Sequence, residues 1–259
     1  MHYEHLTIIF NGEIYNHLDV RAKYGLVCKT NSDTETILHA YASQGAECLK
    51  SFDGMFALAI YDRKNQTLFL ARDRAGKKPL YYYLKNGVFL FASELNALKG
   101  QMTLSPDEEA LHQYVRLGYF YGNKTAYQEI RELPAGSYAS VSLQQPAVQS
   151  VRWWNIHDYY QQKNTLNFED ALKQTDDYLH AAVRRRVESS DLEVGSFLSG
   201  GIDSGSVTAI ATEYNRSLKT FTVSFDGEYD EAPLAKLVAD KYGTSHHEIR
   251  ISFDNLVNE

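Results

Sequence analysis

Phe197-Leu198-Ser199-Gly200-Gly201-Ile202-Asp203-Ser204 stands at the junction between an apolar run and a helical pattern. Residues 193–198 read as a buried strand and residues 203–214 as a helix, so the two glycines fall on a strand-to-helix turn. Upstream, residues 168–187 place Ala171, Leu172, Thr175, Tyr178, Leu179, Ala182 and Val183 at helical spacing. Downstream, a strand at 220–225, a helix at 231–242 and a strand at 247–251 continue the alternation. Strands alternating with helices imply right-handed crossovers and a parallel α/β sheet. This grammar begins after a polar stretch at 155–167, which reads as a linker between domains at 1–154 and 168–259.

The turn at 199–204 has the chemistry of a pyrophosphate site. Two glycines let a backbone turn sharply and approach an anion with no Cβ in the way. The first N–H groups of the following helix, with its dipole, would point at the phosphates. Ser199 and Ser204 add hydroxyl donors. Asp203 helps only with a cation between it and the phosphates, which implies Mg²⁺. No lysine follows the glycines, so the loop is not of the GxxxxGKS/T type. It suits a leaving pyrophosphate better than a transferred γ-phosphate. The bland alternative is a helix start whose cap merely contains Ser and Gly. Six residues in the right strand-to-helix position argue against it. His246 and His247 invite a metal reading, but neighbours in a strand point to opposite faces and cannot both ligate one ion.

Towards the N-terminus the pattern changes to paired strands. Residues 55–61 and 67–71 flank a polar segment, 79–84 and 88–92 flank Lys85-Asn86-Gly87, and 136–143 and 148–154 flank Gln144-Gln145-Pro146. Tyr-, Phe-, Leu- and Ile-rich strands joined by short turns argue an antiparallel sheet, and hence an α+β class. One helix is punctuated by Ser32 as cap, Glu35 completing a capping box, Ile37, Leu38 and Tyr41 facing inward, and Gly45 after its end. Another starts at Ser105-Pro106-Asp107-Glu108, with the proline at its first helical position. The run 6–10 ends at Asn11-Gly12, which is a hairpin-turn signal. The same two residues have a chemical reading: an Asn amide beside a Gly N–H makes an oxyanion hole. Glu13 and Asp33 are carboxylates able to hold an α-ammonium group, or, more plainly, a turn residue and a helix-terminal acid.

Composition narrows the classes. A net charge of −7 gives no general attraction to nucleic acid or to an anionic membrane. The run Arg184-Arg185-Arg186 sits at a helix C-terminus, where cations complement the dipole. Two cysteines, Cys28 and Cys48, make neither a CxxC pair nor a disulfide framework. With no signal-peptide pattern and no long apolar run, a cytoplasmic location is expected.

SGGIDS at 199–204 is similar to the loop signature of ATP pyrophosphatases, and its setting resembles the glutamine-dependent asparagine synthetase family. The downstream layout is similar as well, through Phe221-Thr222-Val223-Ser224-Phe225-Asp226, Tyr229-Asp230-Glu231 and His246-His247-Glu248. Gly205 departs from the family's frequent second serine. Asn11-Gly12-Glu13-Ile14-Tyr15-Asn16 resembles the glutamine-binding stretch of class II amidotransferases, and Asn31-Ser32-Asp33-Thr34-Glu35 their acidic motif. Asp73, Arg74, Gly76, Lys77 and Pro79-Leu80-Tyr81-Tyr82 follow the same pattern and read as fold-supporting. The resemblance implies an N-terminal-nucleophile-type amidotransferase domain with an antiparallel sheet, followed by a parallel-sheet ATP pyrophosphatase domain. In it, Asn11 and Gly12 would form the oxyanion hole, and Glu13 and Asp33 would join them in binding glutamine. ATP would contact Phe197, Leu198 and Val223 as well as Ser199, Gly200, Gly201, Ile202, Asp203 and Ser204. The implied substrates are glutamine, aspartate and ATP with Mg²⁺, and the implied assembly is a homodimer.

The implied activity is asparagine synthase (glutamine-hydrolysing), in which ATP adenylates the aspartate side chain and ammonia from glutamine displaces AMP. The family's nucleophile is an N-terminal cysteine whose α-amine is the base. The chain as written begins Met1-His2-Tyr3, and neither Cys28 nor Cys48 can carry a free α-amine. The family's aspartate site and a catalytic lysine are expected beyond Glu259. The expectation is therefore an internal fragment of a larger ligase, with both domains incomplete and no glutaminase activity of its own. Two other readings stay open: the same architecture acting on another carboxylate, and a truncated nucleotide-binding protein without turnover.

Overall fold

The strand Gly54–Asp62 is buried along nearly its whole length because both of its faces are covered. Phe56, Leu58 and Ile60 point into one core with Ile8, Ile37, Leu38 and Leu49. Ala57 and Ala59 point into a second core with Leu70, Val141, Leu80 and Leu133. Alternate residues of a strand face opposite ways, so one unbroken apolar run serves two cores. A computed structural model describes this chain at residues 1–100, 102–225, 227 and 230–251. The chain divides into two units, Met1–Lys163 and Asn164–Glu259.

In the first unit a six-stranded antiparallel sheet runs in the order His2–Tyr3, Leu6–Ile14, Gly54–Asp62, Thr67–Arg72, Ser137–Ser142, Ser150–Arg152. A second antiparallel sheet orders Val88–Ala92, Tyr81–Lys85 and Ile130–Glu132. Asn86 and Gly87 make its hairpin turn at φ of 54° and 74°. Both central residues at positive φ is the twist-matched two-residue connection.

Three local signals resolve differently from their sequence reading. Asn11-Gly12 is not a turn: Leu6–Ile14 runs straight through it, pairing Asn11 with Ala57 and Gly12 with Phe56. Pro106 is not the first helical residue either. It forms an isolated bridge with Tyr127, and Asp107 caps the helix Glu108–Leu117 by accepting from the Ala110 N–H.

The third is the capping box. Ser32 caps the helix Asp33–Gln44 by accepting from the Thr34 N–H, and Gly45 ends it at φ 57°. Glu35, however, turns outward from the cap. Its carboxylate accepts from the Lys29 N–H at 2.8 Å and from the Thr30 N–H and hydroxyl at 2.7 and 2.6 Å. These bonds, led by that from Lys29, hold the carboxyl down at about 2 from its ordinary 4.5. A depressed folded-state value stabilises the fold fully above about pH 4.5, and the effect fades as pH falls towards 2. Glu35→Gln is therefore expected to lower stability by about 1–3 kcal/mol at neutral pH. In urea titrations the gap between wild type and variant should narrow below pH 4.5; a gap independent of pH would refute this role for the charge.

The second unit carries a three-stranded parallel sheet ordered Gly195–Phe197, Lys219–Phe225, Ser245–Ile251. Helices Ile202–Tyr214 and Ala232–Tyr242 are its crossovers, and Phe168–Glu188 precedes them. Val183, Ile210, Ala211 and Leu218 form one small core; Leu198, Ala235 and Ala239 form another. No helix of the described residues is long and apolar enough to cross a membrane.

Candidate functional site

Leu198, fully buried, is where the strand Gly195–Phe197 hands over to the loop. Its N–H donates to the Phe221 carbonyl, and its own carbonyl accepts from the Thr222 hydroxyl. Gly200 follows with no room for a side chain, since a Cβ there would come within 2.4 Å of the Leu234 Cβ. For both glycines the sequence predicts backbone turning and anion approach. Neither has positive φ, and the requirement at Gly200 is the helix Ala232–Tyr242 packed against it.

Gly201 is the N-cap of Ile202–Tyr214 at φ −77° and ψ 156°, and no side chain caps this helix. Ser32, Asp107 and Asn167 each cap their helices through a side-chain oxygen, whereas His17–Tyr24 and Ala232–Tyr242, like this helix, have no side-chain cap. The first N–H groups of a helix have no acceptor within it. At Ile202 they are left with the dipole's positive end for an anion. Ser204's hydroxyl ties the loop shut, accepting from the Ser199 N–H at 3.1 Å and lying 2.9 Å from the Ser199 hydroxyl.

Beside this loop opens a cavity of about 410 Å³ lined by Phe197, Leu198, Ser199, Ser204 and Val223 among the residues expected. Phe221, Thr222, Phe225 and Glu231 line it too and were not foreseen. Gly200, Gly201, Ile202 and Asp203 stand outside this lining, at the helix mouth. Asp226 and Tyr229, part of the family-like layout, lie outside the described residues. His246 and His247 do point apart: a His246 ring nitrogen lies 3.0 Å from the Thr220 hydroxyl, while the His247 ring stacks on Phe221. In the basic run, Arg186 donates to the Ala182 carbonyl of its own helix.

The first unit gathers the other set. In an antiparallel ladder the N–H and C=O of one residue point to the same side, and the side alternates along the strand. The Ile8 N–H donates to the Met1 carbonyl and the Ile14 N–H to the Asp33 carboxylate at 3.0 Å, both away from the strand Gly54–Asp62. Gly12 shares their parity. Its partner Phe56 gives both backbone groups to Asp73, on the far side. The Gly12 N–H therefore points out of the ladder on the side where Asp33 sits. Gly12 must lack a side chain, because a Cβ would meet the Met55 carbonyl oxygen at 2.1 Å. Asn11's amide, adjacent in sequence, donates to the Ser93 hydroxyl at 3.0 Å. Asp33 thus sits at the Ile14 end of the edge that carries Gly12, and Ser93 meets Asn11 unannounced by any motif.

Asp73 supports this edge from behind. Its carboxylate accepts from the N–H groups of Phe56, Ala75, Lys77 and Lys78. Arg72, also buried, donates to the carbonyls of Lys78, Leu133 and Gly76 and pairs with Glu132 at 2.8 Å. Neither cysteine has the environment of a nucleophile. Burial pushes the Cys48 thiol up to about 12, and burial raises Cys28 as well.

The glutamine amidotransferase domain family matches residues 1–154. The chain belongs to that family. A second family, asparagine synthase, matches residues 174–259 of this chain. A protein of Methanocaldococcus jannaschii is 35% identical over 248 residues, covering 93% of this chain and 47% of its own. Glutamine-hydrolyzing asparagine synthetase 3 of Bacillus subtilis is 32% identical over 275 residues, covering 97% and 44%. Glutamine-hydrolyzing asparagine synthetase 1 of the same organism is 34% identical over 260 residues, covering 97% and 40%. The chain thus spans about half the length of the curated relatives it matches.

Proposed function

We propose that this chain is part of a glutamine-hydrolysing asparagine synthetase, with an amidotransferase domain at 1–154, a linker at 155–167 and a synthetase domain at 168–259. The observation that carries the reading is the uncapped helix N-terminus at Ile202 opening beside the cavity. Such a site binds the phosphates of ATP, with adenosine against Phe197, Leu198 and Val223. The aspartate side-chain carboxylate attacks the α-phosphorus, pyrophosphate departs over 199–204, and ammonia displaces AMP. Activation as the acyl-adenylate turns a poor leaving group into a good one.

In the first domain the outward N–H of Gly12 and the amide of Asn11 are donors for the tetrahedral oxyanion of glutamine hydrolysis. Glu13 and Asp33 hold the glutamine α-amine. Mg²⁺ suits the second domain. Asp203 is exposed and has no hydrogen bond or ion pair among the described residues, so its charge beside phosphates calls for a cation, and Asp203 would hold it. Bound with ATP, the ion neutralises phosphate charge. The protein from the whole gene should release pyrophosphate from ATP with aspartate and glutamine and form asparagine; release with a different carboxylate acid instead would assign the fold to another acceptor.

A further inference from the structure

Next to Asp33, the loop before the helix Asp33–Gln44 brings three chemically different donors together. Cys28 Sγ, a Glu35 carboxylate oxygen and a His39 ring nitrogen all lie within 4.8 Å of one another. Glu35 and His39 stand one helical turn apart and so share a face. Glu35 Oε1 and His39 Nε2 are 3.7 Å apart, too long for a hydrogen bond. Donors around a tetrahedral zinc ion with bonds of about 2.0–2.3 Å are separated by about 3.3–3.6 Å. This pair already stands at close to that spacing.

The hydrogen bonding leaves one acceptor position on Glu35 unused. Glu35 Oε2 accepts two bonds, from the N–H and hydroxyl of Thr30, while Oε1 accepts one, from the Lys29 N–H. Oε1 keeps a lone pair, and it is the oxygen that faces His39. The His39 ring is fixed by stacking on Tyr3 at 3.9 Å, and among the described residues its Nε2 has no hydrogen-bond partner. Cys28 is a free thiol, half-buried, and adjoins Lys29, whose N–H orients Glu35. Arg21, the nearby cation, already gives its N–H groups to the Thr30 and Ser32 carbonyls and the Thr36 hydroxyl.

We infer that Cys28, Glu35 and His39 form a three-ligand site for a thiophilic divalent cation of the zinc class, with water completing the tetrahedron. Binding breaks the S–H bond, forms the sulfur–metal bond and releases the proton to solvent. Sulfur, imidazole and carboxylate together suit zinc rather than magnesium or calcium. The ion clips the loop at 28–30 to the helix whose first residue, Asp33, receives the Ile14 N–H. That makes it a structural brace, independent of the ligase reading.

The test uses the untagged 259-residue chain with Co²⁺ as probe. One equivalent should produce a near-ultraviolet thiolate-to-cobalt charge-transfer band and the visible bands of four-coordinate cobalt. Cys28→Ser should abolish the charge-transfer band, Cys48→Ser should keep it, and His39→Asn should weaken affinity by about a hundredfold. Zn²⁺ should raise the Tm of wild type and leave that of Cys28→Ser unchanged. A band that survives Cys28→Ser, or disappears with Cys48→Ser, overturns the site, as does wild-type protein that shows no band. Should Cys28→Ser fail to fold, His39→Asn with unchanged affinity overturns it equally.

Discussion

Gly12→Ala should destabilise the first unit by about 3 kcal/mol or more, the upper range for overpacking a core. The added Cβ would lie 2.1 Å from the Met55 carbonyl oxygen and 2.7 Å from the Phe56 Cα. Both obstacles are backbone of a central strand, so no side chain can swing aside. The strand cannot retreat either, because Phe56 is bonded on its other edge to Asp73. Against a typical total stability of 5–15 kcal/mol, such a loss removes much of the fold. Gly205→Ala is the contrast: its Cβ finds only Val238 Cγ2 at 3.9 Å, and alanine in a helix should gain about 0.5–1 kcal/mol. Urea midpoints followed by circular dichroism distinguish the two. A Gly12→Ala chain as stable as wild type would mean the register of Gly12 against Phe56 is wrong.

Asp203→Ala, in protein from the whole gene, should cut aspartate-dependent pyrophosphate release by on the order of a hundredfold or more, the scale of losing several kcal/mol of metal-assisted stabilisation. Glutamine hydrolysis by the same protein should persist, since the proposed oxyanion donors lie in the other domain. Stability should hardly change. Asp203 sits in the first turn of its helix with no partner among the described residues, and its favourable interaction with the dipole is worth only about 0.3–1 kcal/mol. Pyrophosphate release at the wild-type rate would remove Asp203 from the site; loss of both activities would point to a folding defect instead.

The second unit was legible because its signal is periodic. Three strands and three helices alternate in the sequence as they do in space, and the loop sits between the first strand and the helix after it. The hairpins of the first unit were legible for a similar reason, as alternating apolar runs broken by short polar turns. What misled were short motifs with two physical meanings. Asn-Gly favours a turn through glycine's freedom at positive φ; Gly12 does have positive φ, 157°, but within a strand, where it also leaves space for the Met55 carbonyl. Ser-x-x-Glu is a capping box only when the glutamate folds back; Glu35 finds three donors in the preceding loop instead. Ser93 carries no local signature, and Phe221, Thr222, Phe225 and Glu231 belong to a family-like stretch that by itself assigns them no contact. Their places near the candidate sites follow from pairings and packing between segments distant in sequence.

Asp73 is a junction in this sense. Its side chain holds one amide of the central strand and three of the loop that follows, and its main chain bonds to Phe56, Gly76 and Gly136. Segments that meet at one carboxylate have no independent way to fray. Opening any of them strands the charge away from its donors, so strand, loop and the entry to Ser137–Ser142 come apart as a single cooperative unit or stay closed together.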